Sequence, residues 1–256
     1  MNLKVIQVNI YKGRYLDELA KFLKGQKPDF ITMQEVTTGS FNNYPEKDLD
    51  LFSELKKRLA MTGVYHGDLK LEGQTKSRMG NAVFSRWPIV KRQVIALKTF
   101  RPVTLDELDG SQAEVIRPQI DRHLLDVTLD LGGRGIHVIS VHGAWTAPPI
   151  DNHENLRQAK IIAGHLKSLT DQPFIVGGDL NMPPATKVIA AISKQANNLM
   201  LGSGVVGTLN QKVHKIAPRN FLVDYIFCSK NFRLKSLKVP RVTVSDHLPV
   251  VVELEF

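Results

Sequence analysis

Residues 173–178, PFIVGG, form a short apolar run closed by two glycines, and Asp179 and Asn181 follow at once in GGDLNMPP. Such a run reads as a fully buried strand. A strand buried on both faces needs cover on both sides of its sheet. The acid and the amide would emerge just past it, on a loop held by a rigid scaffold. There they suit a site that orients water and holds a charged oxygen. Taken alone, the run also reads as an Asp–Asn turn.

The same arrangement recurs along the chain. Asn9 ends the run LKVIQVN (3–9), and Glu35 ends DFITMQE (29–35). His142 closes IHVISVH (136–142), and Asp224 sits inside LVDYIFCS (222–229). An ionised carboxylate in that apolar setting needs a partner. Asp246 and His247 lie between two strand-like stretches in VTVSDHLPVVVELEF (242–256). Each residue singly reads as a cap or a turn. Six segments together place polar groups where strands can deliver them to one rim.

The quoted runs VNIYKGR, MQEV, GNAVFSRWPI, the SVH strand end, GGDLNMPP, DYIFCS and SDHLPV occur in an order that resembles the endonuclease/exonuclease/phosphatase superfamily. The resemblance runs from end to end. It implies a four-layer α/β sandwich, with two mixed β-sheets packed face to face and helices outside. It also implies metal-dependent cleavage of phosphoester bonds. Asn9, Glu35 and Asp246 match the family's metal-binding positions. Asp179 matches the residue that orients or deprotonates the attacking water, and Asn181 its neighbour. His247 matches the catalytic histidine, Asp224 the carboxylate that orients it, and His142 a second phosphate-facing position. Arg122, preferred to Arg117, and Asn81 match phosphate-binding positions, although Asn81 also reads as a residue that shapes a turn. Glu35 and Asp246 are hard oxygen donors and Asn9 offers a carbonyl oxygen, a set suited to Mg²⁺ or Mn²⁺. The Cys/His spacing of a zinc site is absent.

Departures narrow the resemblance. Thr37 and Thr38 follow Glu35–Val36, and Ile10, Tyr11 and Lys12 follow Asn9. Both differ from the AP endonuclease pattern. His142 is followed by Gly-Ala-Trp, so Trp145 either lines the pocket or packs on its rim. His123, His137 and His165 read as surface or interior histidines, and Arg157 and Gln158 as structural.

Helices are predicted over 15–24, 48–60, 153–168 and 184–195. Strands are predicted near 80–84, 88–97, 123–131, 222–229, 232–239 and 249–255, besides those already quoted. Residues 99–121 and 202–220 read as long loops, and 70–80 as loop-like. At 256 residues and 43% apolar composition the chain suits one domain, 1–256, with an ordinary core. No apolar run reaches membrane-spanning length, so no stable membrane insertion is expected. The single cysteine, Cys228, excludes an internal disulfide framework. That cysteine usage and the lack of a signal-like run at the start together point to a reducing cytoplasm, and a monomer is expected.

The net charge is +9 and is unevenly placed. Residues 56–101 hold eleven Lys/Arg and two acids, and residues 206–241 hold eight and one. Such segments are the footprint of a polyanion partner, or ordinary solvated faces. The expectation is a metal-dependent phosphodiesterase acting as a nuclease on DNA or RNA through these segments. The alternative is a phosphatase or phosphodiesterase on a small phosphoester, such as a phospholipid headgroup, an inositol phosphate or a nucleotide. A catalytically silent binding protein on the same fold would not need the intact acid, amide and histidine set.

Overall fold

The computed structural model describes residues 1–42, 44–46, 48–214 and 220–256. One sheet orders its strands β11-β12-β1-β2-β4-β3 and the other β5-β6-β7-β8-β10-β9. The first contains β1 (Asn2–Asn9), β2 (Phe30–Thr38), β3 (Thr62–Leu71), β4 (Gln74–Ser85), β11 (Arg233–Lys238) and β12 (Val250–Glu255). The second contains β5 (Ile89–Lys98), β6 (Arg122–Asp130), β7 (Gly135–His142), β8 (Phe174–Asp179), β9 (Asn197–Asn198) and β10 (Asp224–Cys228). Both sheets are mixed. β1 runs parallel to β2 and β7 to β8, while the other pairings are antiparallel.

Period-2 alternation explains the layering. In β1, Leu3 and Val5 join the core between the sheets, while Ile6 and Val8 pack outward. Their outward partners are Leu16, Leu19 and Leu23 of α1 (Leu16–Gln26) and Leu51 and Leu55 of α2 (Leu51–Leu59). On the far side, Ala159, Ile162 and Leu166 of α5 (His153–Ser168) and Val188, Ile189 and Ile192 of α6 (Lys187–Ser193) cover the second sheet. A strand with apolar residues at both parities must be covered on both faces, and β1 and β8 are. The result is helix, sheet, sheet, helix, as the resemblance implies. Among the described residues no helix is long and apolar enough to cross a membrane.

The two glycines that close the PFIVGG run belong to β8 itself. A Cβ on Gly177 would lie 2.0 Å from Thr32 Oγ1 of the facing sheet, and one on Gly178 would lie 2.4 Å from Val141 Cγ1. The two sheets approach closely at Gly177 and the neighbouring strand crowds Gly178, so only glycine leaves the room.

Three expectations change. Residues 62–85 form the hairpin of β3 and β4, so 70–80 is mostly strand. β3 is an edge strand, half-exposed and rich in polar residues, and such a strand resembles a loop in sequence. The segment 99–121 carries two short helices, α3 (Leu105–Asp109) and α4 (Ala113–Ile116). Glu35 does not end its strand; β2 continues to Thr38 through a bulge between Met33 and Val36.

Candidate active site

Asp179 is the last residue of β8 and lies in register with His142 on one neighbouring strand and Asp224 on the other. One row across the second sheet therefore presents His142, Asp179 and Asp224. The first sheet faces it with Asn9 at the end of β1 and Glu35 in β2. The bulge gives Glu35 a φ of 56°, which aims its side chain at the cleft without ending the strand. Asn181 turns the chain after β8 with a φ of 55°. Its backbone N–H donates to Asp179 Oδ1 at 3.0 Å and its side-chain amide to the Gly143 carbonyl at 3.2 Å. Asp246 and His247 come from the loop before β12, pinned by a bridge between His247 and Leu209.

The hydrogen bonds converge on Asp179. Asn9 Nδ2 donates to Asp179 Oδ2 at 3.0 Å and to Glu35 Oε1 at 3.3 Å, while Asn9 Oδ1 accepts from the Tyr11 N–H at 3.1 Å. His142 Nε2 and His247 Nε2 stand 3.5 and 3.7 Å from Asp179 Oδ2. Nδ1 of His247 lies 2.8 Å from Oδ2 of Asp224. Asp224 Oδ1 also accepts from Gln7 Nε2 at 3.3 Å.

These contacts set the charges. Burial pushes the Asp179 carboxyl up, against the pull of the His247 charge. Burial alone would lower His247, but Asp224 and Asp179 outweigh it and hold the ring well above the ordinary histidine range. His142 goes the other way: burial, then the charges on Arg122 and His247, push it well below that range. The opposite shifts favour a charged ring at His247 and a neutral one at His142, with Asp179 between them. Burial pushes Asp246 up to about 6; His247 pulls it down and Glu35 pushes it further.

Among the described residues no Lys or Arg pairs with Glu35 or Asp246. Two neighbouring carboxylates with no Lys or Arg on either are a donor set that fits a divalent ion, with Asn9 beside them. His214 stands near Asp246 and His247, its ring 5.8 Å from that of His247, and burial pushes it down to about 4.

The remaining expected positions divide between two places. Arg122 is buried and lines the cleft, and its Nε donates to the Gly143 carbonyl at 3.0 Å. Asn81 lies deeper, donating to the His123 carbonyl at 3.0 Å, and lines a separate small void rather than the cleft. Arg117, the competitor of Arg122, also lines the cleft; its guanidinium stands 5.7 Å over the Trp145 ring and reaches Asp109 at 2.9 Å. Trp145 lines the pocket.

The sequence reading missed the support behind the site. Thr32 donates to Gln7 Oε1 at 2.7 Å, and Gln34 donates to Gln7 Oε1 at 3.1 Å and to Ser140 Oγ at 3.0 Å. This buried ladder ends on Asp224 through Gln7. Its signal was available: Gln7 and Gln34 are polar residues inside otherwise apolar runs.

The cleft has a volume of about 450 Å³. Its floor is the polar set, and its walls include Met79, Leu108, Ile120, Trp145, Leu209 and Phe221. Its cations are Lys12, Arg117 and Arg122, and the first two both contact Asp109. No Lys or Arg of 56–101 lines it. The same holds for the described part of 206–241; Lys215 and Arg219 lie outside the described residues.

A sequence model of the endonuclease/exonuclease/phosphatase family matches residues 6–247. The chain belongs to this family. Family members are hydrolytic, divalent-metal-dependent phosphoesterases, and the fold agrees with solved relatives. An endonuclease/exonuclease/phosphatase family protein from Bacteroides thetaiotaomicron is 19% identical, with a TM-score of 0.72 over 99% of this chain and 97% of that one. A mannosyl-6-phosphatase of the same organism is also 19% identical, with a TM-score of 0.72 over 99% of this chain and 100% of that one. The human nocturnin catalytic domain with bound sulfate shares 19% identity and a TM-score of 0.72, covering 100% of this chain and 93% of that one. At these identities the likeness speaks for the fold. No curated protein matches the chain.

Proposed function

We propose that this family member is a Mg²⁺- or Mn²⁺-dependent phosphoesterase whose substrate is a small phosphoester with a partly apolar body. The observation that carries this reading is the cleft itself: a polar floor set in apolar walls, away from the Lys and Arg of 56–101. Apolar walls bind an apolar group by burial, and a few convergent polar groups fix its orientation.

Glu35 and Asp246 are the carboxylate ligands of the metal in this reading, with Asn9 beside them. When bound, the ion neutralises phosphate charge and favours ionisation of a coordinated water. Asp179, held by Asn9 and Asn181, accepts the proton of the attacking water. His247, charged through Asp224, sits against the phosphate oxygens and supplies a proton at the leaving oxygen. His142, neutral, donates one hydrogen bond to the same phosphate without adding charge. Arg122 offers a buried guanidinium at the cleft wall. The buried, single Cys228, whose thiol burial pushes up to about 12, plays no part; it suits a monomer working in a reducing cytoplasm.

A nuclease is the second reading, favoured by the +9 charge and the two basic segments. A substrate panel separates the two. It comprises p-nitrophenyl and bis-p-nitrophenyl phosphate, inositol phosphates, sphingomyelin, plasmid and abasic DNA, and RNA, each with Mg²⁺, Mn²⁺, Ca²⁺ or EDTA. Small esters should turn over with Mg²⁺ or Mn²⁺ and not in EDTA. Nucleic acid hydrolysed with far higher kcat/KM than any small ester would give the function to the nuclease reading.

A further inference from the structure

A second cluster of metal-ligand side chains lies outside the cleft. His66 and Asp68 are on β3, the edge strand of the first sheet, and His123 is on β6 of the second. One donor atom from each lies within 4.8 Å of the others. Asp68 Oδ2 stands 2.7 Å from His123 Nδ1, and the rings of His66 and His123 meet edge to face at 4.6 Å. A pinch in the hairpin makes room for this. A Cβ on Gly80 would lie 1.9 Å from the His66 carbonyl oxygen, so only glycine allows the strands to close at the bulge that follows.

Two buried polar atoms beside the cluster lack partners. His123 is 2% exposed and its Nε2 bonds to nothing among the described residues; Asn81 is 1% exposed and its Oδ1 is equally unpartnered. Both residues line a void of about 10 Å³, together with Asp68, Asp121 and Arg122. That volume admits one water or a small ion. Asp68 and Asp121 bring two carboxylates to its wall and Arg122 one guanidinium. Buried unpaired acceptors are costly, and their concentration around one void calls for an occupant.

We propose that His66, Asp68 and His123 form a second metal site, distinct from the catalytic one, that takes a borderline transition-metal ion of the Zn²⁺ type with a water in the adjoining void. Two imidazoles and one carboxylate are a zinc-like donor set, and three protein ligands plus a water are a familiar coordination for it. Mg²⁺ prefers oxygen donors and near-ideal octahedral geometry, which this set does not offer. An ion here would tie the edge strand of one sheet to the other sheet, beside the strand residue Arg122 that reaches the cleft. His123 lies over fifty residues beyond His66 and Asp68, so the three form no spacing motif in the sequence.

Co²⁺ is the probe. The metal-stripped full-length protein is titrated with Co²⁺ in excess Mg²⁺, which occupies the oxygen-rich catalytic site. One equivalent should bind with visible absorption typical of nitrogen ligation, and Tm should rise by about 5 °C at saturation. Asp246→Asn should keep that equivalent. His66→Gln and His123→Gln should each weaken it by about 10-fold or more. Should His123→Gln fail to fold in EDTA, His66→Gln on the half-buried edge strand decides alone. The site is overturned if no Co²⁺ binds in excess Mg²⁺, if the equivalent disappears in Asp246→Asn, or if the histidine variants bind as the parent does.

Discussion

Nδ1 of His247 lies 2.8 Å from Oδ2 of Asp224, and both side chains are buried. The contact fixes one nitrogen as the donor to the carboxylate and leaves Nε2 facing the cleft, where Asp179 stands. On the proposed roles, replacing His247 by Ala removes both the charge and the proton, and replacing Asp179 by Ala removes the base. Each should lower kcat by roughly 10²–10⁴-fold, the scale of lost acid–base or electrostatic catalysis. Asp224→Asn should be a milder version of the His247 loss, because only ring orientation and charge are disturbed. Steady-state kinetics on a chromogenic phosphoester separates these cases.

Glu35→Gln is expected to act through metal affinity. Added Mn²⁺ should restore much of its activity and none of that of His247→Ala. Equal rescue of both variants would show that the roles are divided wrongly.

The metal-free protein should lose stability as pH rises above about 6.5. His247 has a folded-state pKa well above its unfolded value, so its contribution is complete below the unfolded value and is lost as pH climbs through the folded one. His137, raised chiefly by its hydrogen bond to Asp126, acts in the same sense. His142, lowered first by burial, and His214, pushed down by burial to about 4, act in the opposite sense only below pH about 6.5, where their unfolded forms protonate. Thermal melts in EDTA from neutral to alkaline pH should therefore show a falling Tm. A Tm that rises over that window would contradict the assignment of charge to His247.

Lys70, Lys76 and Arg78 belong to the β3–β4 hairpin and do not line the cleft. Replacing all three by Ala should leave turnover of a small chromogenic ester unchanged, because a remote cation supplies no transition-state contact. On the nuclease reading the same change should weaken DNA binding and flatten its salt dependence, which runs at about −0.9 in log–log slope per phosphate contact. Filter binding across a salt series reads that slope directly.

Much of the site was legible because its polar residues sit where apolar runs stop. Asn9 and His142 each end a strand, as the chain pattern places them, and Asp179, expected just past its strand, is the last residue of it. Glu35 was legible as a residue but not as geometry, since a bulge inserts a residue without changing the apolar pattern around it. The hairpin over 62–85 was missed because an edge strand needs only one covered side, and GDLKLEGQTKSRMG spreads its polar residues accordingly. The ladder from Thr32 and Gln34 through Gln7 to Asp224 joins strands from both sheets. So does the pairing of Asp68 with His123. Neither can be read before the two sheets are stacked.

Tyr11, Lys12, Glu35 and Asn181 all hold positive φ angles and all line the cleft; among the described residues only Lys27 and Ala60 share that conformation without glycine. Left-handed backbone at a non-glycine residue is held in place by its surroundings at a cost of order 1 kcal/mol each. The rim of the candidate site is therefore where this fold and its proposed chemistry pull against each other. Selection for thermal robustness alone would drift toward glycine at Glu35 or Asn181, relaxing the backbone while erasing the carboxylate or the amide. Variants recovered from such a screen should be the most stable and the least active of the set, a trade-off written into four backbone torsions.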